Sequence, residues 1–249
     1  MKRTLILSDI HANLHALEAI LKDADNFDRL VFLGDLANFG SHPGECVDLL
    51  KKYNPLCIIG NHDAQIVSEA PKHFWDKWSR KQLTADQLEW IKTFPETAVL
   101  DGHILLLHGS YTVEYDILPN TSDDDIEAAF KPYIQAADAQ IDEVWFGHCH
   151  YHVERKINGI TYRCMRPAGF QCDKDTRASY YIFENGEVTH QRVEYNLDKT
   201  IEDFLKLDIF PTEERKYKFA EILKNAYQPD LLKKTIQQMK INDEKNKQP

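Results

Sequence analysis

The chain has 249 residues, of which 43% are hydrophobic and 28% charged, a composition that suits one large globular domain and needs no disulfide or structural metal to hold it together. Its 40 acidic and 30 basic residues give a formal charge of −10. This balance argues against a protein that coats nucleic acid, because an acidic surface repels polyanions.

The cysteines and the apolar segments indicate the cellular compartment. Five cysteines without a Cys-x-x-Cys pair argue against a disulfide framework or a zinc ribbon and predict reduced thiols in a cytoplasmic protein. The first apolar run reaches Asp9 too early for a signal peptide. No apolar stretch of the sequence approaches the roughly 20 residues that a membrane span requires. We therefore expect neither a signal peptide nor a membrane contact.

The first quarter of the chain repeats one pattern. Short apolar runs, each predicted to be a strand, occur at Thr4–Leu7, Leu30–Leu33 and Leu56–Ile59. Apolar residues at helical spacing follow the first two runs. This alternation predicts an α/β fold with a mainly parallel sheet in this half of the chain.

The middle of the chain mixes helical and strand patterns. Pro71 to Thr93 reads as helical and carries three of the four tryptophans, which we interpret as a packed helix face, with an aromatic lid over a site as the alternative. Short strands are predicted at Glu96–Leu100, Ile104–Leu107 and Val144–Phe146. Between them, an acidic helix start at Ser122–Asp125 predicts a helix that bends or ends near Pro132.

The last hundred residues begin with a period of two. Asn158-Gly159 and Asn185-Gly186 each separate two alternating segments and predict two β-hairpins. Leu197 to Ile241 predicts two or three amphipathic helices, and Asp243 to Pro249 a frayed tail.

Five polar motifs directly follow the predicted strands, and in an open α/β sheet such loops gather at one edge. By chance, Gly-His-x-His is expected in about one such chain in fifty and Gly-Asn-His-Asp in about one in five hundred. Their joint occurrence at strand ends therefore indicates a site. The motifs are Asp9-Ile10-His11, Gly34-Asp35, Gly60-Asn61-His62-Asp63, His108-Gly109 and Gly147-His148-Cys149-His150.

The residue types in these motifs point to metal chemistry. Two divalent ions about 3.5–4 Å apart can clamp a phosphate, generate hydroxide at neutral pH and stabilise an in-line displacement. Such a pair needs a bridging ligand, and Asp35 at a strand end can give an oxygen to each ion. Imidazoles mixed with carboxylates suit manganese, iron, cobalt, nickel or zinc better than calcium.

With these motifs the sequence resembles the calcineurin-like metallophosphoesterases, in particular the compact prokaryotic phosphodiesterase-like type that opens with Asp-Ile-His-x-Asn. The likeness extends through Arg177-Ala178-Ser179-Tyr180. It implies a four-layer α/β/β/α sandwich, in which two mixed β-sheets are flanked by helices. It also implies a metallophosphoesterase domain over residues 1–195, with residues 196–249 as a C-terminal helical extension packed on the same domain.

The resemblance also assigns roles to single residues. Two divalent transition-metal ions are expected, manganese being favoured over iron, cobalt, nickel or zinc. His62 is expected to stabilise the transition state, and Asp63 to orient its ring. Asn13 and Arg166 are further substrate-binding candidates. The expected ligands are Asp9, His11 and His150 for the first ion, Asp35 as the bridge, and Asn61, His108 and His148 for the second.

Several of these residues also have an ordinary structural interpretation. Asp9 is a common helix N-cap residue, Asp35 can simply end a strand, and His108 can be a hydrogen-bonded core histidine. Cys149 is expected to point away from its neighbours His148 and His150, so we do not count it as a ligand.

The expected activity is hydrolysis of small phosphate esters, most of all phosphodiesters, by in-line attack of a metal-bound hydroxide. A nucleotide or phosphomonoester phosphatase is the alternative, and a non-catalytic scaffold of the same fold is a more distant one. Phosphoprotein phosphatases of the superfamily carry an arginine after Gly-Asp, whereas Leu36–Gly40 follows Gly34-Asp35 here. No basic groove for long nucleic acid is visible, and the oligomeric state stays open.

Overall fold

The computed structural model describes residues 2–109 and 117–227, in which ten strands form two sheets of five. The first sheet contains β1 (Thr4–Leu7), β2 (Arg29–Phe32), β3 (Leu56–Cys57), β9 (Ala178–Glu184) and β10 (Glu187–Val193). The second sheet contains β4 (Thr97–Leu100), β5 (Ile104–Leu107), β6 (Glu143–Phe146), β7 (Val153–Ile157) and β8 (Ile160–Cys164).

Both sheets are mixed, with antiparallel pairing at one edge of the first sheet and at both edges of the second. The order is β10-β9-β1-β2-β3 in the first sheet and β4-β5-β6-β8-β7 in the second. Strands β1, β2 and β3 are parallel, as are β5, β6 and β8. The two predicted Asn-Gly hairpins are confirmed, because β7 pairs with β8 and β9 with β10 in antiparallel register.

Eight helices lie within the described residues. They are α1 (Leu14–Asp23), α2 (Pro43–Lys51), α3 (Asn61–Val67), α4 (Phe74–Gln82), α5 (Ala85–Lys92), α6 (Asp123–Ala136), α7 (Leu197–Leu205) and α8 (Glu213–Asn225).

The structure adds detail to two helix predictions. The helical segment from Pro71 to Thr93 is two helices, because Thr84 caps α5 by accepting the N–H of Gln87 at 3.2 Å and donating its own N–H to Gln87 Oε1 at 2.9 Å. Helix α6 does not end near Pro132 but continues to Ala136. The carbonyl that Pro132 leaves without a partner belongs to Ala128, and both residues are exposed, so water can solvate it.

Alternation along the central strands builds the predicted layers. Leu5 and Leu7 pack into a cluster with residues of α1 and α2, whereas Ile6, between them, packs between the sheets with Leu106 and Trp145. In the same way, the residues that flank Leu106 and Trp145 form a cluster with α6. The expected α/β/β/α sandwich is therefore confirmed.

The tryptophan-bearing segment joins the C-terminal helices in a small aromatic core. Trp75 is only 3% exposed, and its ring lies 6.0 Å from Phe204 of α7 and 5.9 Å from Phe219 of α8. Trp75 is therefore part of a packed helix face, as predicted.

The predicted helices beyond α8 and the predicted tail fall outside the described residues, and the division into residues 1–195 and 196–249 stays a prediction. Among the described helices, none combines the length and apolar character needed to cross a membrane.

The layer between the sheets can be tested at Ile6, which is fully buried. Replacing a buried isoleucine by alanine removes three methyl or methylene groups and leaves a cavity, so we expect Ile6→Ala to lower the free energy of unfolding by about 2–5 kcal/mol. Urea unfolding followed by circular dichroism measures this change. The matched control Val99→Ala removes atoms from a side chain that is 38% exposed and should change stability by less than about 0.5 kcal/mol. Equal effects of the two substitutions would contradict the layer assignment.

Candidate metal centre

The loops that follow strands β1, β2, β3, β5 and β6 meet at one edge of the sandwich. The backbone N–H of Asp9, after β1, donates to the carbonyl of Gly34, after β2, at 2.9 Å. Across the sheets, the N–H of His148, after β6, donates to Asp9 Oδ2 at 3.1 Å. The N–H of Gly147 donates to the carbonyl of His108, after β5, at 2.6 Å. These bonds hold the loops of both sheets in one cluster.

Asp9, His11 and His150 form the first group of donor atoms. The Nε2 atoms of His11 and His150 are 3.0 Å apart, and Asp9 Oδ1 lies 3.8 Å from the first and 3.3 Å from the second. All three side chains are buried or nearly so, the most exposed being His150 at 11%. The residues expected to hold the first ion therefore do lie together.

Asp35, His108 and His148 form the second group. Asp35 Oδ2 is 3.1 Å from His108 Nε2 and 4.0 Å from His11 Nε2, so this oxygen lies between the two groups. Asn61 Oδ1 is 3.1 Å from His108 Nε2 and 2.8 Å from His148 Nδ1. All seven expected ligands thus surround one small volume, with Asp35 between the two groups.

Outer contacts prepare two of the imidazoles as ligands. The Nδ1 atoms of His11 and His108 lie 3.2 and 2.6 Å from the carbonyl oxygens of Ala37 and Leu33. A carbonyl only accepts, so Nδ1 carries a proton in each ring, and in the neutral imidazole the Nε2 lone pair faces the other donor atoms. Oδ1 of Asp9 is buried and has no hydrogen bond of acceptable geometry among the described residues. An unpaired carboxylate oxygen beside two imidazoles fits a divalent transition-metal ion.

Charge in the centre also favours a cation. Burial alone would raise the pKa of Asp9, but the short contact with the His150 imidazole and its charge hold it at about 2. Burial is likewise outweighed at Asp35, whose pKa is held well below its usual range by the charge of His108. Burial would lower the pKa of His108, but the charge of Asp35 raises it to about 9. Both carboxylates therefore stay negative and stabilise positive charge beside them.

The expected ligands are held in an unusual backbone conformation. Five of the seven have a positive φ, a region that costs non-glycine residues of the order of 1–3 kcal/mol each. Such strain persists only where the surrounding structure enforces it, and it is concentrated at functional sites. The values are 51° for Asp9, 50° for His11, 63° for Asp35, 72° for His148 and 58° for His150.

Asp63 makes other contacts than the expected one with the His62 ring. Both carboxylate oxygens of Asp63 accept backbone N–H groups instead, from Asp35 at 2.8 Å, Leu36 at 2.9 Å and Gly60 at 3.1 Å. Asp63 points into the core from the first turn of α3, because a side chain there caps the helix N-terminus. It therefore holds the loop that carries Asp35 against α3.

Asn38 is the residue that contacts the His62 ring. Its amide nitrogen lies 2.8 Å from His62 Nδ1 and 2.8 Å from Asp76 Oδ1. Because a carboxylate only accepts, Asp76 fixes the amide group as donor toward both. A polar residue in the apolar Leu36–Phe39 segment is the one sequence signal for Asn38, and Asp76 has none.

The two further substrate-binding candidates have structural partners. Asn13 Oδ1 accepts the N–H of Ala16 at 3.2 Å at the start of α1, and its amide donates to the carbonyl of Gly169 at 2.8 Å. The Arg166 guanidinium is paired with Asp173. Neither side chain is seen in contact with the seven ligands among the described residues, so their role in substrate binding stays a prediction.

Comparison with known proteins finds a matching family model and a related protein. The calcineurin-like phosphoesterase family model matches residues 2–186. The uncharacterized protein MJ0912 of Methanocaldococcus jannaschii is 25% identical over 233 residues, which cover 81% of this chain and 91% of that protein.

Two solved structures are similar in fold. A metallophosphoesterase from Sphaerobacter thermophilus is 28% identical with a TM-score of 0.73, covering 90% of this chain and 99% of that chain. The hypothetical protein PH1004 from Pyrococcus horikoshii OT3 is 22% identical with a TM-score of 0.72, covering 90% and 98%.

Gly60 offers a test of the centre, because a Cβ there would lie 2.1 Å from Asp35 Oδ1 and 2.3 Å from Asp35 N. We expect Gly60→Ala to displace the Asp35 carboxylate and to weaken metal binding at least about tenfold in a chain that still folds. Metal content after gel filtration, with circular dichroism as the folding check, measures this. The control Gly44→Ala places its Cβ no closer than 3.4 Å to another residue and should keep the metal content of the wild type. Full metal content in Gly60→Ala would contradict the assignment of Asp35.

Proposed function

The chain belongs to the calcineurin-like phosphoesterase family, and from that premise we propose that it hydrolyses small phosphate esters, phosphodiesters above all, at a centre of two divalent ions. The observation that carries this proposal is the convergence of two donor groups, Asp9, His11, His150 and Asp35, His108, His148, at one edge of the sandwich. Asp35 Oδ2 lies between the groups and is the proposed bridge.

The ligand roles follow from these positions. Asp9, His11 and His150 would hold one ion, and Asn61, His108 and His148 the other. When bound, two such ions supply a nucleophile at neutral pH and neutralise charge on the phosphoryl oxygens. Manganese is the proposed metal, with iron, cobalt, nickel or zinc as alternatives, because the donors mix imidazole nitrogen with carboxylate and amide oxygen.

His62 is the proposed catalytic residue beside the ligands. Its ring centroid lies 5.3 Å from that of His11, and its Nδ1 accepts a hydrogen bond from the Asn38 amide. Burial lowers its pKa, so the ring is neutral and its single proton is on Nε2. Nε2–H can then donate to a phosphoryl oxygen or to the leaving oxygen as negative charge develops there.

Two phenylalanine side chains beside the centre support a diester substrate. Phe39 lies 4.6 Å from His62 and 4.9 Å from His11 between ring centroids, and Phe170 lies 5.4 Å from Phe39. Phosphate dianions are commonly gripped by a guanidinium, but Leu36–Gly40 after the bridging aspartate contains no arginine. An aromatic wall suits the organic group of a second ester, which a monoester lacks.

A nucleotide or phosphomonoester phosphatase remains the alternative activity, since the same donors would bind its phosphate. A scaffold function is less favoured, because a scaffold needs no His62 aligned by Asn38.

Two bound divalent ions would change the formal charge of the chain from −10 to −6. The site would then be a region of positive potential in an acidic surface, which favours small anions over long nucleic acid. The five cysteines are free and buried, which supports a cytoplasmic location.

A substrate panel tests the proposed activity directly. The full chain is assayed with an aryl phosphodiester, an aryl phosphomonoester and nucleotides, each with manganese, iron, cobalt, nickel, zinc and magnesium. We expect the highest kcat/KM on the diester with manganese. Faster turnover of the monoester or of a nucleotide would favour the alternative, and no turnover of any ester by metal-loaded protein would favour the scaffold.

His62→Ala separates catalysis from metal binding. We expect unchanged metal content and a kcat on the aryl phosphodiester that is lower by about a hundredfold or more, as for loss of a hydrogen-bond donor to the negative charge that develops in the transition state. The control His103→Ala removes an exposed histidine paired with Asp142 at 2.5 Å, and it should keep the wild-type rate. A normal rate in His62→Ala would show that the assigned role is wrong.

Substitutions of Asn38 and Asp63 should have different effects, the first on kcat alone and the second on metal content as well. Loss of the amide in Asn38→Ala leaves the His62 ring without its partner, so kcat should fall about tenfold to a hundredfold while metal content stays constant. In Asp63→Asn an amide replaces the acceptor of the Asp35 and Leu36 N–H groups, so metal content should fall as well. Metal analysis beside kinetics checks both. If Asp63→Asn lowered only kcat and Asn38→Ala had no effect, Asp63 would be the partner of His62 after all.

A further inference from the structure

A second group of metal-type donors lies outside the centre. His15 of α1, His42 at the start of α2 and Asp203 of α7 offer two imidazole nitrogens and a carboxylate oxygen within 4.8 Å of one another. The Nε2 atoms of His15 and His42 each lie 3.2 Å from the same oxygen, Asp203 Oδ2. None of these residues takes part in the proposed phosphate chemistry.

The spacing suits a tetrahedral ion. Donor atoms bound at about 2.0–2.2 Å to a tetrahedral zinc ion are about 3.3–3.6 Å from one another. The two measured imidazole-to-carboxylate distances of 3.2 Å are close to that edge, so small side-chain adjustments would complete the geometry. The side chains are 19%, 24% and 13% exposed for His15, His42 and Asp203, which shields the site and leaves an open side for a water ligand.

The surroundings of the group support a ligand role. His42 Nδ1 lies 3.4 Å from Glu45 Oε1, and a carboxylate on the far nitrogen is the usual outer partner of a metal-binding histidine. The lysines near Asp203 contact its other oxygen, Oδ1, with Lys199 Nζ at 3.0 Å and Lys206 Nζ at 3.2 Å. Glu202 accepts from both lysines, so their positive charge is offset locally and Oδ2 stays directed at the histidines.

We propose that His15, His42 and Asp203 bind a third divalent transition-metal ion, with zinc as the best match, separate from the phosphoesterase centre. This site connects α7 to the loops that carry the centre. The N–H of His42 donates to the carbonyl of Ala12 at 3.1 Å, and Thr200 of α7 lies 3.4 Å from Asn13 Oδ1. An ion here would fasten α7 to the segment that follows His11 and stabilise the folded chain.

The test compares the number of zinc ions bound by the wild type with the number bound by a variant. Full-length wild type and the double variant His15→Gln/His42→Gln are stripped with a chelator, reloaded with zinc and analysed for metal after gel filtration. We expect the double variant to hold one equivalent less and to keep its rate on the aryl phosphodiester within about twofold. Because only the difference counts, the result does not depend on how many ions the phosphoesterase centre holds or on which ester it cleaves.

Two further variants keep the test decisive if the double variant folds poorly. Glu45→Gln leaves all three donors in place, and loss of an outer carboxylate should weaken the third zinc about tenfold, measured by competition with a chromophoric chelator. His103→Gln removes a surface histidine that has an aspartate partner but no second imidazole in its described contacts, and it should leave the count unchanged. Equal zinc content and affinity in wild type, Glu45→Gln and the double variant would overturn the proposal and leave a hydrogen-bonded His–Asp–His cluster.

Discussion

One buried carboxylate holds the centre together. Asp63 accepts three backbone N–H groups from two different loops, that of Asp35 among them. Burial and the charge of Asp35 raise the pKa of Asp63 to about 6, so the N–H groups work against both effects to keep it ionised. The bonds fix where the chain turns after β2, and Asp35 in turn accepts the N–H of His62 at 2.9 Å. Asp63 thus positions Asp35, the proposed bridging ligand, and through Asp35 it positions His62, the proposed catalytic residue.

The sandwich allows this arrangement because its two sheets end at the same edge. Each central strand uses its alternating residues to pack both faces, and its last residue then enters a tight turn. Left-handed backbone at these turns aims Asp9, His11, His148 and His150 at one point. The conformational cost is of the order of 1–3 kcal/mol per residue, and it is offset by the surrounding structure that holds these turns in place.

Features that depend on local pattern could be predicted from the sequence. Period-two segments around Asn-Gly predicted the hairpins, and the motifs after apolar runs contained the seven residues to which the family resemblance assigned ligand roles. Contacts between distant segments could not be predicted in this way. Asp63 follows His62 in the chain but points to the opposite side of the helix start, whereas Asn38 and Asp76 reach the ring from elsewhere. His15, His42 and Asp203 are separated by up to 188 residues, so no spacing rule relates them.

The aromatic wall has two origins. Phe39 belongs to the loop after the bridging aspartate, but its ring is backed by Phe219 of α8 at 5.9 Å between centroids. The seven expected ligands lie in loops after strands and at the start of α3, whereas the support of this ring comes from α8. Mutational drift in α8 can therefore shift the aromatic side chains beside His62 without touching an expected ligand. In the proposed enzyme, substrate preference and catalytic power can thus evolve in separate parts of the chain.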